Sequence, residues 1–505
     1  MNHNRVLHLY NSLSGAKEIF TPLEAGHVGM YVCGPTVYSD VHLGNCRTFT
    51  SFDIIYRYLL HLGYNIRYVR NITDVGHLTD DGEDRMAKGS KVNKLEPMEV
   101  AQRYTVGFHD MMRVFNTLPP SIEPRATGHI PEQIEMVEAI IKRGYGYERN
   151  GSVYFDVAKF SKENPGVYGQ LSGHVVEDQV AESRENLKNQ SEKNHPADFA
   201  IWMKARPEDI MVWKSPWSVG FPGWHLECSA MSTKYLGHTF DIHGGGNDLK
   251  FPHHENEVAQ NQGACGCAPA RYWLHTNMLL LNGKKMSKSD GNTITPEQLF
   301  LGESEHIEKA YSPMIFRFFM LQAHYRSALD ITDHGLESAE KGFKKLMDIY
   351  QALQKLDTSA HGAQNAYDGS ESDTDRAILS LIEDAYKGMD DDFNTAIALA
   401  ALNELGGFIN KLTNNQLPPG EIAPWVIEKL KTVFHTFIFY IFGLTEEAAA
   451  KDDGTVDGLM ELILDIRAKA RSEKDFATSD KIRDALAVVG IQIKDGKEGV
   501  KWDRN

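Results

Sequence analysis

A lysine-rich run in the second half of the chain has the residue types that a phosphate-binding loop needs. The sequence Lys284-Lys-Met-Ser-Lys-Ser289 lies between Gly283 and Gly291, so cations and hydroxyl groups share a segment bounded by flexible residues. This pattern predicts a loop that closes over a polyphosphate, and the alternative is a solvated basic loop. The glycine-rich motif of the P-loop NTPases does not occur in the sequence, which disfavours that class.

A second candidate phosphate site lies near the N-terminus, at a predicted turn between a strand and a helix. This turn contains His42, Gly44 and Asn45, and a helix that begins there would offer unpaired N–H groups and the positive end of its dipole. The two polar side chains add hydrogen-bond donors, and the glycine would let a nucleotide approach the backbone. A purely structural His-x-Gly turn is the alternative.

Cysteine, histidine and glutamate residues from distant parts of the chain are candidates for a zinc site. His253 and Glu257 are four residues apart, and Pro252 suits the first turn of a helix that would place both on one face. Zinc accepts this nitrogen and carboxylate pair, and Cys33 and Cys228 would complete the site. The competing ligands are His225, His243, His254, Cys265 and Cys267. Helix-surface His and Glu with small buried cysteines are the structural alternative.

A charged segment close to the C-terminus is a candidate RNA contact. Residues 471–486 form a predicted amphipathic helix with alternating charges, for which an exposed, salt-bridged face is the simpler explanation. Residues 456–505 contain ten acidic and ten basic residues, whereas the whole chain has a formal net charge of −16. This local balance permits RNA contact without requiring it.

Composition places the chain among ordinary globular proteins. Its 505 residues are 42% hydrophobic and 24% charged, which excludes a wholly disordered, collagen-like or purely coiled-coil protein. Its length suggests about three domains, and no apolar run reaches the ~18 residues of a membrane span. The N-terminus has no apolar signal core, and the acidic net charge argues against a histone-like binder. Five cysteines do not suit a disulfide framework, so we expect a reducing cytoplasm.

The elements that must position these residues follow from the hydrophobic pattern. An apolar strand ends at Cys33, a helix with apolar residues at spacings of three and four ends at Gly63, and a strand covers residues 66–72. Together they form a βαβ unit, which predicts a parallel sheet. A second strand-to-helix junction is predicted at residues 240–248. Residues 120–200 are predicted to be an insertion, the pattern is helical from about residue 330, and residues 356–375 are predicted to form a loop.

In combination, these motifs resemble those of the class I aminoacyl-tRNA synthetases. His42-Leu-Gly-Asn45 is similar to the "HIGH" motif of that class, and Lys285-Met-Ser-Lys-Ser289 is an unbroken "KMSKS". Longer segments are similar to cysteinyl-tRNA synthetases in particular, and this resemblance extends over residues 7–502. The segments that carry it are residues 31–38, 71–74, 223–231, 243–249 and 251–257.

The resemblance implies an α/β fold with a Rossmann-like parallel-sheet catalytic domain, a connective insertion, an α-helical bundle and a small C-terminal α+β anticodon-binding module. The implied boundaries are 1–119 and 201–269 for the catalytic halves, 120–200 for the insertion, 270–330 for a stem-contact region with the lysine loop, 331–450 for a tRNA-binding bundle and 451–505 for the anticodon module.

The resemblance also implies roles for individual residues. The implied zinc ligands are Cys33, Cys228, His253 and Glu257. The implied ATP contacts are His42, Gly44, Asn45, Asp248, Lys285 and Lys288, of which His42, Asn45, Lys285 and Lys288 are catalytic. The implied cysteine contacts are Thr73 and Trp224, and the implied anticodon contacts are Arg471, Asp480 and Asp495. Asn45 stands where the class motif has His, so it can donate a hydrogen bond but cannot carry charge.

The implied reaction has two steps. Cysteine and ATP, with Mg²⁺, form cysteinyl-adenylate and pyrophosphate, and the cysteinyl group then moves to the 3′-terminal ribose of the tRNA specific for cysteine. One zinc ion per chain would select the cysteine thiolate. We expect a cytoplasmic monomer with no membrane or DNA partner.

Two other functions compete with this interpretation. A cysteine ligase of the mycothiol pathway shares the activation chemistry but lacks a terminal tRNA-binding region, and the residues after Leu329 favour tRNA as the acceptor. A non-catalytic, zinc-dependent RNA-binding protein would need neither of the two phosphate-site motifs.

Overall fold

The structure is a computed structural model that describes residues 5–76, 95–173, 192–286, 291–356, 371–414, 416–417, 421–446, 455–488, 491–496 and 499–504. The chain divides into two compact units, residues 1–445 and 446–505. Among the helices within the described ranges, none combines the length and the hydropathy that a membrane span needs.

The secondary structure alternates between strands and helices in the first two thirds of the chain and is then mainly helical. The strands in the described residues are β1 His8–Asn11, β2 Ala16–Ile19, β3 His27–Val32, β4 Asn65–Arg70, β5 Gly146–Arg149, β6 Ser152–Phe155, β7 Phe199–Lys204, β8 Trp213–Lys214, β9 Val219–Pro222, β10 Phe240–Gly246, β11 Ala270–Thr276, β12 Leu279–Leu281, β13 Lys284–Lys285, β14 Leu329–Ile331, β15 Ile491–Gly496 and β16 Gly499–Arg504. The α-helices in the same residues are α1 Leu43–His61, α2 Pro97–Val114, α3 Ile130–Lys142, α4 Val157–Glu163, α5 Trp224–Leu236, α6 Glu255–Cys265, α7 Pro296–Leu301, α8 Pro313–Leu321, α9 Asp333–Gln354, α10 Asp373–Asp390, α11 Thr395–Thr413, α12 Pro424–His435, α13 Thr455–Ser472 and α14 Phe476–Val488. Short 3-10 or π helices cover Ala126–His129, Asn247–Leu249, Lys250–His254 and Thr436–Ile441.

A four-stranded parallel sheet is the core of the first unit. Its order is β11-β10-β3-β4, and every neighbouring pair is parallel. The chain passes from β3 through α1 to β4 on one side and later returns to β10 on the other side of β3. The predicted βαβ unit and parallel sheet are therefore confirmed. In such sheets, ligands bind in the crevice at the carboxyl ends of the two strands where the winding direction reverses, here β3 and β10.

Two glycines allow close packing at this edge of the sheet. A Cβ atom on Gly34, just after β3, would lie 1.6 Å from the carbonyl oxygen of Asn71, just after β4. A Cβ atom on Gly244 in β10 would lie 2.2 Å from the ring of Phe52 on α1. Because no larger residue fits at either position, glycine allows the ends of β3 and β4 to touch and α1 to lie against β10.

A second, antiparallel sheet lies between the two halves of the parallel one in sequence. Its five strands are ordered β5-β6-β7-β9-β8 and come from residues 146–222, so this sheet extends past residue 200, where we predicted the insertion to end. Its neighbour in sequence, α3, contacts both α5 and α6, the two helices that carry candidate metal ligands. The inserted region thus packs, through α3, against both helices that carry these candidate ligands.

The helical part of the first unit contains α9 to α12, as the pattern after residue 330 predicted. Helix α10 begins at Asp373, capped by the side chain of Ser372, so the segment predicted as a loop is shorter than 356–375 at its C-terminal end. Ser372 accepts the amide N–H of Asp375 in a capping box, a strong helix-start signal that the polar composition concealed. Residues 357–370 lie outside the described part of the chain.

A buried ion-pair network joins the helical part to the parallel sheet. The carboxylate of Asp53 on α1 accepts hydrogen bonds from Arg57 at 2.8 Å and from Arg317 on α8 at 2.5 Å. Arg317 also donates to the backbone oxygens of Phe115 and Phe442, both at 2.7 Å. Since an unpaired charge at this depth is very costly, the network fixes α1, whose first turn carries the candidate motif His42–Asn45, against the rest of the unit.

The second unit contains α13 and α14, followed by the antiparallel pair β15 and β16. This arrangement agrees with the α+β module predicted for the C-terminal end of the chain.

Candidate active site

The structure brings the four predicted zinc ligands together at the carboxyl edge of the parallel sheet. Cys33 follows β3, Cys228 lies in α5, His253 lies just before α6, and Glu257 lies in its first turn. One ligand atom from each residue lies within 4.8 Å of the others, and all four residues are buried. The two Sγ atoms are 3.6 Å apart, and His253 Nε2 is 3.2 Å from Glu257 Oε1.

The start of α6 differs from the simple helix that the spacing suggested. Phe251 has an extended backbone, with φ −136° and ψ 136°, as expected for a residue that precedes a proline. Pro252 and His253 lie in a five-residue turn with wider, π-type hydrogen bonding, and regular α-helix begins at Glu255. The prediction that His253 and Glu257 face the same side holds through this turn.

Other histidines surround the four candidate ligands. His243 Nε2 lies 2.9 Å from Glu257 Oε2, and His254 Nε2 lies 3.3 Å from Cys33 Sγ. These two histidines form a second possible ligand group with Cys33 and Glu257, so the competing ligands weighed from the sequence are indeed adjacent. His225 Nδ1 lies 3.0 Å from His253 Nδ1 and so holds the ring edge that faces away from Glu257.

The remaining competing ligands are in a different chemical state. Cys265 and Cys267 are joined by a disulfide, so in this structure neither offers a thiolate. From the small number of cysteines we expected no disulfide framework. This bond is not part of a framework, because it joins two cysteines that are only two positions apart. The free cysteines in the described residues are Cys33, Cys46 and Cys228, all buried.

The electrostatics of the cluster favour a bound cation. Burial by itself would raise the pKa of Glu257, but the charges and hydrogen bonds of His243 and His253 lower it to about 2. Burial likewise opposes protonation of His253, yet contacts with Cys228 and Glu257 raise its pKa to about 10. Burial and the neighbouring sulfur raise the pKa of Cys33, whereas the hydrogen bond that Cys33 donates outweighs burial and lowers the pKa of Cys228. The hydrogen bond between the two sulfurs therefore favours the thiolate at Cys228 and the thiol at Cys33, and a metal cation would favour the thiolate form of both.

Thr73, a predicted cysteine contact, lies beside this cluster. It follows β4, and its hydroxyl donates to Glu227 Oε2 at 3.0 Å and accepts from Asn71 Nδ2 at 2.9 Å. Asn71 Oδ1 lies 3.8 Å from Cys228 Sγ, which connects Thr73 to the sulfur cluster through one side chain. Thr73 and the sulfur cluster thus belong to one continuous set of buried polar contacts.

Trp224, the other predicted cysteine contact, is the first residue of α5. Its ring centroid lies 4.5 Å from that of His253 and 5.3 Å from that of His225. A Cβ atom on Gly223, the residue before it, would lie 2.1 Å from the carbonyl oxygen of Ala200, so α5 begins in direct contact with β7. This contact places the indole against the cluster.

The N-terminal phosphate motif forms the first turn of α1. His42 is the N-cap, and its Nδ1 accepts the Asn45 N–H at 3.3 Å while Asn45 Oδ1 accepts the His42 N–H at 3.4 Å. In this reciprocal capping box the amide oxygen of Asn45 is the acceptor, and its Nδ2 group remains a hydrogen-bond donor. A Cβ atom on Gly44 would lie 2.9 Å from the His42 ring, so this glycine makes room for that ring.

The other predicted ATP residues lie on two different elements. Asp248 is exposed in the short turn that follows β10, at the same edge of the parallel sheet. Lys285 is exposed in β13, which pairs with β12 across the two-residue turn Asn282–Gly283, where both residues have positive φ. Residues 287–290, which include Lys288, lie outside the described part of the chain.

The predicted anticodon residues all lie in the second unit. Arg471 is in the last turn of α13, and Asp480 is in α14, where it pairs with Arg483 at 3.1 Å. Asp495 is in β15, and its side chain lies outside what the structure describes.

Three further polar residues of this cluster, Asn71, Glu227 and His275, were not identified as functional residues from the sequence. His275 Nε2 lies 2.9 Å from His254 Nδ1 and so orients that ring. Asn71 is two residues before Thr73, and Glu227 directly precedes Cys228, so both were within reach of the motifs already identified. Their contacts cross 154 to 157 residues of sequence, which local spacing cannot reveal.

Comparisons with known proteins agree with this arrangement. Residues 19–341 match the family model described as "tRNA synthetases class I (C) catalytic domain", and residues 386–446 match the "DALR domain". The chain is 50% identical over 504 residues to the cysteine–tRNA ligase of Phocaeicola vulgatus, with 99% of both chains covered. It is 51% identical over 497 residues to that of Cytophaga hutchinsonii, with 98% of both covered.

Among solved structures, the fold is similar to methionyl-tRNA synthetase of Mycobacterium tuberculosis in complex with methionyl-adenylate. The TM-score is 0.62 at 14% sequence identity, and the match covers 83% of this chain and 92% of that one. At this identity the likeness concerns the fold alone, and it supports the class I architecture predicted from the motifs.

Proposed function

The chain belongs to the class I cysteinyl-tRNA synthetases and ligates cysteine to tRNA with ATP, and we propose that a zinc ion held by Cys33, Cys228, His253 and Glu257 selects the amino acid. The observation that carries this proposal is the convergence of these four buried ligand atoms within 4.8 Å of one another. When bound, zinc supplies affinity for the soft thiolate of cysteine that the neutral hydroxyl of serine does not match.

The donor set fits zinc better than it fits a hard cation. Two sulfurs, one imidazole nitrogen and one carboxylate oxygen are ligands that zinc takes in proteins, whereas Mg²⁺ and Ca²⁺ require oxygens. We favour this set over the one with His243 and His254 because it contains both free thiols of the cluster. In this assignment His243 holds the second carboxylate oxygen of Glu257, at 2.9 Å, and orients it.

The protein's part in the first step is positioning and charge stabilisation. The carboxylate of cysteine attacks the α-phosphorus of ATP, forming a new P–O bond as the bond to the pyrophosphate oxygen breaks. We assign His42, Gly44 and Asn45, at the N-terminus of α1, to the phosphates, because a capped helix end offers N–H groups and a favourable dipole. We assign Asp248 to the ribose of ATP.

The lysine loop serves the leaving group. We assign Lys285 and Lys288 to the pyrophosphate, together with the Mg²⁺ that accompanies ATP, because charge develops there as the bond breaks. Lys285 is exposed in β13 of the β12–β13 hairpin, a position that a ligand in solution can approach.

The second step transfers the cysteinyl group to the tRNA specific for cysteine. We assign Arg471, Asp480 and Asp495 to the anticodon, and we propose that the enzyme acts as a monomer in the cytoplasm. We also propose domain limits at residues 119, 269, 330 and 450, and we move the end of the insertion from residue 200 to residue 222, where its antiparallel sheet ends.

Cysteine-dependent ATP–pyrophosphate exchange, followed by tRNA charging, tests this function. We expect exchange with cysteine to exceed that with serine by more than the ~200-fold that pocket shape alone provides. The labelled cysteine should then appear on the tRNA. Comparable exchange with serine contradicts zinc-based selection, and exchange without tRNA charging contradicts the tRNA as acceptor and favours a cysteine ligase of the mycothiol type.

A further inference from the structure

A buried chain of hydrogen bonds runs from the loop after β3 to a glutamate on α5. The Gly34 N–H donates to Asn71 Oδ1 at 2.8 Å, Asn71 Nδ2 donates to Thr73 Oγ1 at 2.9 Å, and the Thr73 hydroxyl donates to Glu227 Oε2 at 3.0 Å. Asn71 and Glu227 are fully buried, and Thr73 is 3% exposed. Burying a carboxylate costs free energy of folding, so its presence at this position points to a function.

The direction of every bond in this chain is determined. A backbone N–H can only donate, so it turns the amide oxygen of Asn71 toward Gly34 and the amide nitrogen toward Thr73. A carboxylate can only accept, so the Thr73 hydroxyl uses its single hydrogen to donate a hydrogen bond to Glu227. The hydroxyl has then used its proton and one lone pair, and the lone pair that remains can only accept.

From this geometry we propose that Glu227 is a positioning residue of the amino-acid pocket, which makes Thr73 an acceptor for the α-ammonium group of cysteine. The inference rests on the proposed function, because that function places the amino acid beside Thr73. Because the hydroxyl of Thr73 can then only accept, this position suits the α-ammonium group, which donates hydrogen bonds, and not the α-carboxylate, which cannot. The carboxylate, which must attack ATP, is thereby directed away from Thr73.

The position of the chain of hydrogen bonds suits the size of the substrate. Asn71 Oδ1 lies 3.8 Å from Cys228 Sγ, and Glu227 and Cys228 are consecutive residues of one helix. The ammonium and thiol groups of cysteine are on adjacent carbon atoms, so its two binding points must also be neighbours. Helix α5 supports both points, one through the bond from Thr73 to Glu227 and the other through Cys228, a ligand of the proposed zinc.

The test is a double-substitution cycle with E227Q and T73V. E227Q keeps the shape of the side chain but removes its charge and lets Thr73 either donate or accept. We expect the KM for cysteine and its Kd by calorimetry to rise about tenfold, as for one charge-assisted hydrogen bond, with the KM for ATP unchanged. In the T73V background, E227Q should change either value by less than about twofold.

S229A is the matched control, because it removes another buried hydrogen bond of α5, the one from Ser229 Oγ to Gln260 Oε1 at 2.7 Å. It should alter thermal stability but not the KM for cysteine. A wild-type KM in E227Q, or effects of E227Q and T73V that add in free energy, overturns the inference and leaves Glu227 a structural role. Absence of cysteine-dependent exchange in the wild type overturns the proposed function instead, and the calorimetric titration separates the two cases.

Discussion

The Cys228→Ser variant should lose its zinc and its cysteine-dependent pyrophosphate exchange while it remains folded. Cys228 is the residue of the cluster whose thiolate is stabilised before any metal binds, since the hydrogen bond donated by Cys33 lowers its pKa. Serine has nearly the same shape but offers a hydroxyl that does not ionise near neutral pH. Loss of an outer partner of a metal ligand already costs ~10–100-fold in metal affinity, so we expect more than ~100-fold from the loss of a ligand itself.

Cys46→Ser provides the matched control for this experiment. Cys46 is also a free, fully buried cysteine of the same unit, but it lies in α1 and belongs to neither ligand group. The substitution should lower the free energy of unfolding without changing metal content or cysteine-dependent exchange. Full exchange activity in Cys228→Ser removes the metal from the mechanism, whatever the control shows.

Lys288→Ala and Lys285→Ala should each slow pyrophosphate exchange by ~10²–10³-fold, because each removes a cation that we assign to the charge developing on the pyrophosphate in the transition state. Zinc content and the Kd for cysteine should stay at wild-type values in both variants, since neither lysine belongs to the metal cluster. Steady-state exchange kinetics, with cysteine binding measured separately, distinguish a defect in the chemical step from a defect in binding.

Lys284→Ala is the control for the lysine loop. Lys284 and Lys285 are consecutive in β13, so their side chains lie on opposite faces of the strand. Lys284 should therefore be replaceable with little effect on the exchange rate. If Lys284→Ala and Lys288→Ala slow exchange equally, the segment acts only as a basic surface, which is the alternative that the sequence left open.

The parallel sheet and one half of the site were predictable from the sequence because they depend on local spacing. The strand, helix and strand of residues 28–72 were evident from their periodicity, and the contact of His253 with Glu257 followed from a separation of four residues. The meeting of Cys33 with Cys228 was not derivable in this way. It joins residues 195 positions apart and depends on β10 returning beside β3, which only the resemblance to a family anticipated.

The parts that the sequence did not reveal are those in which polar residues contact one another across the fold. In the sequence, Glu227 is an ordinary helix residue between Leu226 and Cys228. Nothing in its spacing predicts that it accepts a hydrogen bond from Thr73. Two local features were also missed, namely the disulfide between Cys265 and Cys267 and the start of α10 at Asp373. The first lies in a glycine-containing segment and the second in an acidic, polar one. Composition averages over such segments and conceals a cap or a bond.

We propose that a metal ion bound to two cysteines far apart in the sequence determines which amino acid is activated. Elemental mass spectrometry of the purified chain, with exchange measured on the same sample, tests this role of the metal. We predict one zinc per chain, loss of cysteine-dependent exchange when a chelator removes it, and recovery when zinc is returned. A chain stripped of zinc that still activates cysteine at the full rate and still rejects serine contradicts the account.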